Sequence, residues 1–91
     1  MYFVFPTKQY EKSFKKLKYS GKFDESELNI AIDILASGET LNASYQDHAL
    51  RGKYEGYREC HIRGDLLLIY RIEKQKLILV LANLGSHSEL F

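Results

Sequence analysis

The chain has 91 residues, 45% of them hydrophobic and 27% charged, the composition of a globular protein rather than a disordered or fibrous one. At this length one compact core over residues 1–91 is the limit. Thirteen basic and twelve acidic residues leave a net charge of +1, which excludes the strong positive footprint of a general nucleic-acid binder. No apolar run approaches the roughly 18 residues of a membrane span, and residues 1–5 lack the basic region and cleavage site of a signal peptide. The single Cys60 has no internal disulfide partner, in keeping with a reducing compartment. A cytoplasmic protein that does not enter a membrane is the expectation.

Residues 2–5 read as a short strand stopped by Pro6, which has no N–H for ladder pairing. Thr7 can cap a helix over Lys8–Tyr19, in which Tyr10, Phe14 and Leu17 form one apolar stripe among lysines. Gly21 closes it. Asp24 with Glu27 three residues on has the pattern of a capping box, opening a second helix. There Leu28, Ala31, Ile32 and Leu35 share one face, Ile30 and Ile34 broaden it, and Gly38 ends it. The link at 20–23 is short, so the two helices form a hairpin.

Residues 37–50 show neither helical nor strand periodicity, and a connection of that length in a small domain is uncommon unless functional or mobile. His48 lies in it. Strands follow at 57–63, 66–73 and 76–83, joined by tight turns at Arg63-Gly64-Asp65 and Glu73-Lys74-Gln75, which makes an antiparallel meander. The last two strands are apolar at both parities, so both sheet faces need cover. The helices supply one cover, and the tail or a partner must supply part of the other.

All three histidines, His48, His61 and His87, sit in polar segments beside turns. Imidazole titrates near pH 6.5 and can both take and give a proton near neutrality. A period of two puts Tyr57, Glu59, His61 and Arg63 on one face of their strand, opposite Arg58, Cys60 and Ile62. Asp65 is close enough in sequence to orient a nearby imidazole. Whether the last strand brings His87 beside Asp65 is not settled by the sequence.

Basic residues cluster in two regions. Lys8, Lys12, Lys15, Lys16, Lys18 and Lys22 crowd the first quarter, where a solvated helix face accounts for them. Arg51, Lys53, Arg58, Arg63 and Arg71 interleave with Tyr54, Tyr57 and Tyr70, a mixture that suits phosphates and stacked bases as well as it suits core tyrosines and surface charge.

The histidine spacings, thirteen and twenty-six residues, match no compact metal motif, so no metal or other cofactor is expected. Cys60 and Ser86 lie in no nucleophile motif. Acid–base work on a substrate with its own nucleophile remains. RNA qualifies, because its 2′-hydroxyl attacks the adjacent phosphate when one imidazole removes the proton and another protonates the 5′-oxygen. Each transfer is typically worth about 10²–10⁴ in rate.

Four blocks carry a family resemblance: Tyr45-Gln46-Asp47-His48-Ala49-Leu50-Arg51-Gly52, Gly56-Tyr57-Arg58-Glu59-Cys60-His61-Ile62, Asp65-Leu66-Leu67-Leu68-Ile69-Tyr70 and Leu84-Gly85-Ser86-His87-Ser88-Glu89-Leu90-Phe91. In this order and at these separations they resemble the YafQ-type branch of the RelE/ParE toxin superfamily, over essentially the whole chain. The resemblance implies an α+β, RelE-like microbial-ribonuclease fold: a curved antiparallel sheet of four to five strands against the N-terminal two-helix hairpin, with a short C-terminal helical turn. It implies a bacterial type II toxin, an endoribonuclease that cuts mRNA in the A site of the 70S ribosome and is neutralised by a cognate RelB- or DinJ-like antitoxin, with a toxin–antitoxin heterotetramer as one arrangement.

Carried over by position, His48, His61, Asp65 and His87 match the family's catalytic set and Phe91 its terminal aromatic. His87 is then the acid, His61 or His48 the base, and Asp65 the orienter or the base itself. Arg51, Lys53 and Arg63 are candidates to neutralise phosphate charge. The branch usually has arginine where this chain has Asn83, so another cation substitutes or the toxin is attenuated. The competing readings are a non-catalytic ParE-like gyrase inhibitor, for which the three histidines have no use, and an attenuated toxin that binds its antitoxin as a co-repressor.

Overall fold

The computed structural model describes residues 1–21 and 23–91; Lys22, one of the N-terminal lysines, lies outside the described residues. Five strands form one sheet: β1 (Phe3–Pro6), β2 (His48–Ala49), β3 (Arg58–Arg63), β4 (Leu66–Glu73) and β5 (Ile78–Gly85), in the spatial order β1-β5-β4-β3-β2. The β2–β3–β4–β5 portion is antiparallel throughout, as the meander requires, and β1 joins in parallel with Phe3 opposite Ile78 and Pro6 opposite Leu81. Pro6 therefore belongs to the strand instead of stopping it. An edge position tolerates it, because a missing N–H on the outer side breaks no ladder bond.

Thr7 caps α1 (Lys8–Tyr19) by accepting from the Tyr10 N–H, while its own hydroxyl donates to the Leu81 and Ala82 carbonyls and ties the helix start to β5. Asp24 caps α2 (Glu25–Ala36) through the Ser26 N–H. The expected capping box does not form: Asp24 takes the second amide of the helix instead of the third, and the Glu27 carboxylate accepts from Arg63 Nη1 at 3.3 Å. Tyr10, Leu28, Ala31 and Leu35 are buried against Cys60, Leu68, Tyr70, Leu79 and Leu81. Ile30 departs from its expected role: it is 54% exposed, because the buried arc of α2 is narrower than its apolar arc.

The opposite face of the sheet is partly closed by the chain's own tail. α3 (His87–Leu90) lays Leu90 over Leu67 and Ile69, with Leu50, Tyr54 and Tyr57 beside them. Ser86 and Glu89 form a complete capping box that starts this helix directly after β5. Both apolar parities of β4 are thus covered, one by the hairpin and the other by the tail. The long 37–50 connection is anchored: Leu41 is buried, Tyr45 packs on the hairpin-side core, and a 3₁₀ turn at Ala43–Tyr45 leads into β2.

Candidate functional site

Cross-strand pairing assembles the histidines. His48 pairs with Glu59, Glu59 with Ile69 and Ile69 with Asn83; the next row runs His61, Leu67, Gly85. Paired residues share a face, so His48, Glu59 and His61 all lie on the open side, away from α1 and α2. Adjacent strands are about 4.8 Å apart, which puts His61 roughly 10 Å from Gly85, the residue that leads into His87.

Glu59 is the unexpected centre of the cluster. It is only 2% exposed, yet its Oε1 is 3.6 Å from His48 Nε2 and 3.6 Å from His61 Nε2. A carboxylate this buried is costly without polar partners, and the two imidazoles supply them. The other His48 nitrogen, Nδ1, is 2.7 Å from the Gln46 carbonyl, which fixes the ring plane. Strand parity placed Glu59 beside His61, but its contact with His48 required the register of β2.

Asp65 meets His87 through the backbone and not through an imidazole. The antiparallel β4–β5 pair returns the chain to the β3–β4 turn, where Asp65 Oδ1 accepts from the His87 backbone N–H at 3.3 Å. The His87 imidazole packs against Phe91 one helical turn on, centroids 5.2 Å apart. Phe91 in turn meets the Tyr54 ring edge-to-face at 5.6 Å.

Arg63 leaves the set. The β3–β4 register shifts between His61 and Arg63, a bulge that opposes two residues to one, and Arg63 turns to the hairpin side. There its Nη1 is 3.3 Å from Glu27 and 3.8 Å from Asp24. Arg51 and Lys53 stay exposed around the 3₁₀ turn Gly52–Tyr54, with Lys53 Nζ 5.4 Å above the Tyr54 ring. Asn83 is tied sideways: its Oδ1 accepts from Ser13 Oγ at 2.7 Å and from the Leu84 N–H. It borders a cavity of about 570 Å³ whose lining includes Lys12 and Lys16 of α1, and Lys16 pairs with Glu89 at 3.5 Å.

The residue before His48 is also fixed. Asp47 accepts from the Tyr70 hydroxyl, 2.8 Å from either carboxylate oxygen, and from Arg58 Nε at 3.1 Å. Burial, then the hydrogen bond to Asp47 and its charge, pushes the Tyr70 phenol well above its ordinary value. Burial likewise pushes the Cys60 thiol up to about 12, reinforced by Asp47 and Glu59, so Cys60 is core and not a nucleophile.

The sheet, hairpin and tail define an α+β protein with imidazoles and carboxylates gathered on one open sheet face, the class expected for acid–base chemistry. Residues 2–91 match the pattern of "Bacterial toxin of type II toxin-antitoxin system, YafQ", and the chain belongs to that family. The mRNA interferase toxin YafQ of Escherichia coli K12 is 33% identical over 84 residues, covering 91% of this chain and 88% of that protein. A Haemophilus influenzae relative that also carries the name YafQ is 46% identical over 61 residues, and the match spans 60% of its length.

Among solved structures, a metal-bound toxin from Helicobacter pylori superposes with TM-score 0.91 at 42% identity, over the full length of both chains. The E. coli DinJ–YafQ complex gives 0.88 at 27% identity, over 100% of this chain and 99% of that one. Among the described residues here, no group of three or more His, Cys, Asp or Glu side chains is disposed to hold a metal ion. No described helix is long and apolar enough to cross a membrane.

Proposed function

We propose that this toxin is an mRNA interferase: an endoribonuclease that cuts mRNA in the ribosomal A site in the cytoplasm, and that a cognate DinJ-like antitoxin silences. The observation that carries the reading is the pair of imidazole Nε2 atoms, each 3.6 Å from the same buried Glu59 oxygen, with Gly85, two residues before His87, in the strand row of His61. His61 or His48 takes the proton of the 2′-hydroxyl, whose oxygen attacks the adjacent phosphorus. His87 gives a proton to the departing 5′-oxygen, and a 2′,3′-cyclic phosphate remains. Glu59 orients the base and balances the charge it gains.

Asp65, by holding the His87 N–H, sets where the acid stands. Lys53, over the Tyr54 ring, and the exposed Arg51 beside it are the cations to meet phosphate charge, whereas Arg63 is engaged by Glu27 on the hairpin side. The relatives named mRNA interferase and the E. coli toxin solved with DinJ support activity and partner alike. Phe3 and Phe5, 75% and 57% exposed on β1, offer apolar surface for such a partner.

The test is expression in bacteria with mapping of mRNA 5′ ends. Wild type is expected to give new ends within codons, and His87→Ala to lower cleavage by about 10²–10⁴. Cleavage that survives the substitution removes His87 from the chemistry. Gyrase inhibition without cleavage would instead make the chain a ParE-like inhibitor.

A further inference from the structure

The aromatic and basic residues that alternate along the middle of the chain are sorted by the fold. Tyr70, Arg58 and Arg63 go to the hairpin side or its rim, while Tyr54, Tyr57, Lys53 and Arg71 gather on the open face. There Tyr57 lies on the same face as Glu59 and His61, and a strip of rings joins it to His87. From His87 the succession runs to Phe91 at 5.2 Å, to Tyr54 at 5.6 Å and to Tyr57 at 6.3 Å, ending with Arg71 Cζ 4.9 Å over the Tyr57 ring.

Two of these groups stay open to solvent. Phe91 is 54% exposed, and the Arg71 side chain is 40% exposed although its Nε is buried without a hydrogen-bond partner. The guanidinium meets the Glu73 carboxylate at 3.4 Å and otherwise sits over the Tyr57 ring. Lys53 likewise lies over a ring. Ring faces and edges joined to cations along one open surface are what single-stranded RNA uses: bases stack on rings and guanidinium planes, and phosphates meet the charges.

We propose that Phe91, Tyr54, Tyr57 and Arg71, with Lys53 at the margin, form a stacking subsite for the RNA immediately 3′ of the cut. The polarity follows from the chemistry proposed above, on which this inference rests. His87 protonates the 5′-oxygen, and that oxygen belongs to the nucleotide on the 3′ side. The strip starts at His87, the group that protonates this oxygen, with Phe91 directly beside it, so the first ring it offers meets the nucleotide on the 3′ side.

The test is single-turnover cleavage of mRNA programmed on ribosomes, with abasic residues placed one at a time on either side of the cut. For wild type, an abasic residue at the first 3′ nucleotide is expected to lower kcat/KM about tenfold, mainly through KM. Arg71→Ala and Tyr57→Leu should each lower cleavage of intact mRNA by a similar factor and erase the 3′ abasic penalty, leaving any 5′ penalty in place. Arg71→Lys, which keeps charge without a plane, should behave like Arg71→Ala; thermal melting of all three confirms that they are folded. Variants that cleave intact mRNA like wild type, or that lose the same factor on abasic and intact substrate, overturn the subsite while the nuclease reading stands. A wild-type protein that cleaves no mRNA overturns both.

Discussion

Removing one oxygen atom from the core face of β4 should loosen the loop that delivers His48. In Tyr70→Phe, the ring stays in its buried site and only the hydroxyl that donates to Asp47 is lost. The hydroxyl has a single proton, so two 2.8 Å distances amount to one hydrogen bond shared by two oxygens. A bond to a charged acceptor contributes about 1.5–3 kcal/mol, and Asp47 keeps Arg58 as a partner, which favours a value of about 2 kcal/mol. For a domain of this size that is a fall of about 8–16 °C in Tm.

Urea denaturation should show a lower midpoint at an unchanged slope, because the exposed area hardly changes. Asp47→Ala should cost at least as much, and the double variant clearly less than the sum of the two, since both remove the same contact. Below both melting points, cleavage by Tyr70→Phe should still be reduced, because Asp47 directly precedes His48 in the chain. A Tm within about 2 °C of wild type, or strict additivity in the cycle, would refute the role given to this contact.

Glu59→Gln keeps the volume of a buried side chain but not its charge, and kcat/KM should fall about 100-fold with an altered pH profile; an unchanged profile would mean that Glu59 orients neither imidazole. Cys60 is fully buried with its thiol pushed up to about 12, so alkylation of the native protein should proceed only at the rate of unfolding, and fast labelling in native buffer would contradict the burial. The Glu89 carboxyl is held below the usual range by the backbone N–H and then the hydroxyl of Ser86, with Lys16 adding. A depressed folded value means that the capping box contributes fully above the ordinary carboxylate value of about 4.3 and is lost as pH falls through the lower folded value. The Ser86 amide resonance, followed by NMR, should therefore move only below that ordinary value, and a midpoint at or above it would show that the box does not form.

Periodicity along the chain determined much of this protein. The stripe of Tyr10, Phe14 and Leu17 set α1, the β4 bounds at Leu66–Glu73 were legible from composition and turns, and four sequence blocks carried the family. Those features are local, since they follow from backbone repeat, caps and turn residues. The tertiary structure decided the rest. It set β1 parallel to β5, brought His48 and His61 to one Glu59 oxygen, gave Asp65 the His87 N–H and swung Arg63 to the hairpin through a bulge. Each of these depends on which strands pair and in what register. Register is settled by the burial of whole faces at once, an energy spread over residues too distant in sequence for any local pattern to record.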